Sequence, residues 1–115
     1  MTNRAQVTIC RQPDATLGFS TIPGAVQQLA QNTLKAYGGR ASTAEVWRQW
    51  VEPQDVVGFK VTSAPGASAG TRPAVVRALI ESLIAAGHPG QQIIIWDRRL
   101  AELQDAGFGR LAQEL

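Results

Sequence analysis

The chain has 115 residues, 44% of them hydrophobic and 17% charged, with a formal net charge of +2. That length predicts a single domain over residues 1–115, and dispersed basic residues with so small a surplus argue against a nucleic-acid-binding surface. The lone cysteine, Cys10, excludes an intrachain disulfide and any zinc or iron–sulfur site built from the chain's own thiolates, and no apolar run reaches the roughly 18 residues of a membrane span.

The polar start, MTNRAQ, runs straight into a strand-like segment, so no secretory signal is read and a cytoplasmic location is expected. Residues 6–11 (QVTICR) alternate enough to predict a short strand, with Val7 and Ile9 on one face and Cys10 as a small buried hydrophobe. A loop carrying Pro13, Gly18 and Pro23 follows. From about Pro23 to Tyr37 the apolar positions Val26, Leu29, Ala30, Leu34 and Tyr37 share one face of a helix, and Gly38–Gly39 supplies its left-handed stop. Ser42-x-x-Glu45 is a capping box ahead of a short helix that places Trp47 and Trp50 together, expected in the core.

Residues 55–98 read as one strand–loop–helix–strand unit: DVVGFKVT, the small-residue loop SAPGASAGT, a helix from Pro73 to Ala86, and QIIIWD. The helix carries a broad apolar stripe from Val75 to Ile84 and an Arg77–Glu81 pair on its solvent side. Because IIIW is continuously apolar, its strand is expected to be covered on both faces. A short helix from Leu100 to Ala106, stopped by Gly107, completes the reading. The fold class is therefore α/β, a small mostly parallel sheet of about three strands with helices packed on it.

A parallel crossover brings the loop after its first strand and the end of its second strand to one sheet edge, where open α/β sheets bind ligands. Lys60, Gly66, Gly70, Thr71, Arg72 and Asp97 are expected there. Free amides at a helix start attract anions, with Arg72 as a clamp and Lys60 as a point charge. The spacing is neither a P-loop nor GxGxxG, so a plain surface connection stays open beside a small anionic ligand. Asp97 is the candidate orienting group or general base, or else caps the helix after it. His88 falls at the opposite sheet edge and reads as structural. No catalytic triad, metal-ligand cluster or cofactor motif is legible.

Lys60, the glycine loop, Gly70-Thr71-Arg72-Pro73 with Val75-Val76, the run Ile93-Ile94-Ile95-Trp96-Asp97-Arg98, Glu102-Leu103 and Ala106-Gly107-Phe108 together resemble domain-of-unknown-function family 362. The resemblance is strongest over residues 55–108. It implies an uncharacterised α/β domain, some of whose relatives are linked to ferredoxin-type iron–sulfur modules or carry export signals; neither accessory is legible here. The family often has Lys-x-Asn where this chain has Lys60-Val61-Thr62, and Thr-His-Pro where it has Thr71-Arg72-Pro73. If that Asn and His serve an activity, this chain is altered in it. The family domain normally runs further, so a truncated or short form is expected. The alternative to a ligand-binding domain is a non-catalytic module that self-associates, as a homodimer, or docks another chain.

Overall fold

The computed structural model describes residues 4–115. A short antiparallel hairpin, β1 (Thr16–Leu17) and β2 (Ser20–Thr21), turns at Gly18 and leads into helix α1 (Pro23–Gly38). Proline at the first helical position suits α1, because its missing N–H has no partner there, and Gly39 ends the helix at φ 65° with its amide on the Lys35 carbonyl. Helix α2 (Thr43–Trp50) opens on the expected capping box, with Ser42 and Glu45 exchanging hydrogen bonds. Strand β3 (Val57–Lys60), helix α3 (Pro73–Ala85) and strand β4 (Ile93–Trp96) form the parallel crossover, and α4 (Leu100–Asp105) and α5 (Phe108–Glu114) follow.

β3 and β4 pair in parallel with Val57 opposite Ile93 and Lys60 opposite Trp96. The two-residue side-chain period then puts Val57, Phe59, Ile93 and Ile95 on one face. That face meets two clusters. One joins Val61, just after β3, with Val76, Ile80, Ala106, Phe108 and Leu111 from α3, α5 and the turn before α5; the other joins Leu34, Val46, Trp47 and Leu83 from α1, α2 and α3. Val46 is fully buried, so close to Gly38 that a Cβ there would stand 2.5 Å from its Cγ1. The glycine pair thus does two jobs: Gly38 admits Val46, and Gly39 stops the helix.

Four expectations need correction. The parallel sheet has two strands among the described residues, rather than about three. Residues 6–11 form no strand; their alternation finds no partner strand, and Val7 and Ile9 stay 77% and 74% exposed. IIIW is covered on one face only, because all the helices in the two clusters pack on the same side, leaving Ile94 and Trp96 half exposed. Trp47 enters the core, where its indole donates to Ser82 Oγ at 2.8 Å, but Trp50 lies at the helix end and is exposed. Helix α5, unforeseen as an element, supplies Phe108 and Leu111 to the core. Among the described residues, no helix is long and apolar enough to cross a membrane.

The radius of gyration is 14.9 Å, against about 13 Å for a compact chain of this size.

Candidate functional site

The parallel register brings Lys60, at the end of β3, beside Asp97, the residue after β4. The Lys60 ammonium lies 2.7 Å from Asp97 Oδ1 and donates also to the Val61 carbonyl at 2.6 Å. The Trp96 ring flanks it, with its centroid 5.6 Å away. Asp97 Oδ1 further accepts the Arg98 amide, while Oδ2 accepts both the amide and the hydroxyl of Ser63, at 2.9 and 2.6 Å. The Lys60 ammonium first, then the Ser63 hydroxyl and amide and the Arg98 amide, hold the carboxyl far below the usual range. Such a carboxylate has little tendency to accept a proton near neutrality. Nor does it cap the next helix: Arg99 occupies the cap position of α4 without a side-chain bond.

The loop between β3 and α3 is knitted to itself. Thr62 and Thr71 are joined twice, Thr71 N–H donating to the Thr62 carbonyl and Thr62 N–H to Thr71 Oγ1, both at 2.9 Å. The Gly66 amide donates to Ser63 and the Gly70 amide to Gly66. Three amides counted toward an anion cradle, those of Gly66, Gly70 and Thr71, are therefore engaged, and those of Ala67, Ser68 and Ala69 have no backbone acceptor among the described residues. Gly70 is required here by space: a Cβ would run into the Thr62 carbonyl oxygen. Arg72 reaches away from the loop, its Nη1 donating to the Phe19 carbonyl in the hairpin at 2.6 Å.

The structure thus gathers Lys60 and Asp97 into one cluster and Gly66, Gly70 and Thr71 into one turn next to it, with Arg72 tying that turn to the hairpin. Ser63 is the partner sequence reasoning missed, and Thr62, noted there only as standing where an Asn is often found, is the partner of Thr71. Ser63 is 1% exposed, and the signal for it was a hydroxyl directly after a strand that ends beside a carboxylate. A cleft of about 470 Å³ abuts the loop through Ala67, Pro73 and Arg77 and is lined by neither Lys60 nor Asp97. His88 is buried before β4, at the opposite end of the sheet. Among the described residues no three His, Cys, Asp or Glu side chains stand together as metal ligands.

No family model matches the chain, and neither does a curated protein or a solved structure.

Proposed function

We propose that the chain is a non-catalytic α/β module of the family-362 type whose β3–β4 sheet is completed by another polypeptide, with a second copy as the first partner to test. The exposed outer face of this sheet, Gly58, Lys60, Ile94 and Trp96, carries the reading. Parallel sheets are normally covered on both faces, and a two-stranded sheet alone is marginal in water. Neither outer edge of β3 or β4 is paired among the described residues, so strand addition and face-to-face burial are both open to a partner. The Asp97 carboxylate supports the non-catalytic part, because its four hydrogen bonds use it as a brace between the strands. Sedimentation velocity from low micromolar to submillimolar concentration tests the reading. Association that is lost in Ile94→Lys supports it; a monomer throughout, unaffected by Ile94→Lys, refutes self-association.

A second reading, a small anion bound at residues 66–72, is favoured by one observation: the Ala67, Ser68 and Ala69 amides, in the turn that leads into α3, stand without backbone acceptors among the described residues. Calorimetric titration with phosphate and sulfate checks it. Binding that Arg72→Ala abolishes supports this reading, and affinity unchanged in that variant overturns it.

A further inference from the structure

A groove of about 700 Å³ runs between α1 and α3, with Trp50 and residues 6–10 also in its lining. Its volume is that of a small-molecule site, which runs from about 300 to 1,000 Å³. None of the fourteen described residues lining it is charged. Tyr37 and Trp50 form an aromatic corner, with ring centroids 5.6 Å apart and planes tilted by 55°. Both rings are exposed, as is Val75 on the opposite wall, so apolar surface faces the groove without being covered by the described residues. Polar groups are few. The Thr33 hydroxyl donates to the Leu29 carbonyl at 2.7 Å, which leaves its oxygen as an acceptor toward a ligand.

From this geometry we infer that the groove binds an uncharged, largely apolar small molecule carrying a flat ring, seated between the Tyr37–Trp50 corner and the Val75–Leu79 wall. The uncharged lining selects the ligand's chemistry: a charged group brought there would lose its water and gain no counter-ion. The aromatic corner selects a planar partner, since offset and edge-on ring contacts add to simple burial. This site lies among the helices and does not depend on the sheet-docking reading.

The test is titration of the whole chain with N-phenyl-1-naphthylamine, an uncharged apolar fluorophore, followed by its emission. One saturable site is expected. Val75→Glu should weaken it about tenfold or more, because the bound probe would bury a carboxylate without a partner. Glutamate at that third helical position suits the helix dipole, so α3 stays folded. Leu100→Glu, at an exposed leucine outside the groove, should leave the affinity unchanged. Cys10 lines the groove and is the chain's only thiol, so bound probe should also slow its alkylation by iodoacetamide. Absence of saturable binding, or equal binding by Val75→Glu, overturns the inference. So does a dimer that binds no probe and is split by Val75→Glu, an outcome that would make a second copy the groove's occupant.

Discussion

Lys60 and Asp97 close the ends of two neighbouring parallel strands through a 2.7 Å ion pair, and the same carboxylate holds the start of the following loop through Ser63. One side chain therefore sets three things: the register at the end of the sheet, the direction in which the β3–α3 loop leaves it, and the exit of the chain after β4. The two partners contribute unequally. The lysine side chain is 49% exposed and the aspartate 10%, so the lysine end is well screened by water while the aspartate end is enclosed by donors.

Asp97→Asn should accordingly destabilise the fold more than Lys60→Met. An amide offers only one acceptor oxygen, so its NH₂ must face either the Lys60 and Arg98 donors or the Ser63 N–H. Lys60→Met keeps the Ser63 and Arg98 bonds intact. Urea unfolding of the two variants checks the order; equal midpoints would show that the carboxylate does no more than pair with the lysine.

The depressed acidity of Asp97 gives the stability curve a sign. The unfolded aspartate has a pKa of about 3.9, and in the folded chain the carboxyl lies well below it. Its contribution is complete above that unfolded value and is lost as the pH falls toward the folded one, because protonation costs the native state its bonds. Glu114 adds in the same direction, held down by Arg77 first and Arg110 second. Thermal melts from neutral pH into acid should show Tm falling below about pH 4, with a shallower fall in Asp97→Asn. Parallel curves for wild type and variant would contradict this.

The crossover was legible in the sequence because its signals are local. Proline ahead of a periodic apolar stripe starts α3 at Pro73, and a β-branched run after a glycine- and proline-bearing turn makes β4. What failed depends on partners that no local pattern reveals. QVTICR alternates like a strand, yet alternation says only that one face would be apolar, and no neighbouring strand is there to accept its amides. IIIW is equally apolar whether one face is covered or two. At the site, residues 55–98 correctly placed Lys60 next to Asp97, since parallel topology fixes which strand ends meet. The direction of Arg72, which turns to the Phe19 carbonyl in a hairpin 53 residues earlier in the chain, was beyond reach of sequence spacing.

Gly70 and Gly24 make a matched pair for testing the loop. A Cβ at Gly70 meets backbone, the Thr62 carbonyl, so Gly70→Ala must break the paired Thr62–Thr71 hydrogen bonds or move β3, at a cost of about 1–3 kcal/mol. A Cβ at Gly24, within α1, meets nothing within 4 Å. Gly24→Ala should therefore stabilise by about 0.5–1 kcal/mol through the unfolded chain's lost freedom. Chemical denaturation of both variants decides it; a neutral Gly70→Ala would mean the turn is not held as described.

His88 provides the last test, of the core rather than the site. It is 7% exposed, its amide bonds the Leu83 carbonyl at the end of α3, and its Nε2 is buried without a hydrogen-bond partner among the described residues. A buried polar atom in that condition costs about 1–3 kcal/mol of desolvation. Its neighbours include Trp47, Val51 and Leu83, which can pack against an aliphatic side chain as readily as against an imidazole. His88→Leu should therefore be neutral or raise stability by about 1 kcal/mol, since it removes the unsatisfied nitrogen and keeps the contacts of the main chain. Tm and urea midpoint of this single variant are the measurement. A loss of about 2 kcal/mol or more would show that Nε2 has a partner in solution, such as a water held in the small cavity between α2 and the end of α3.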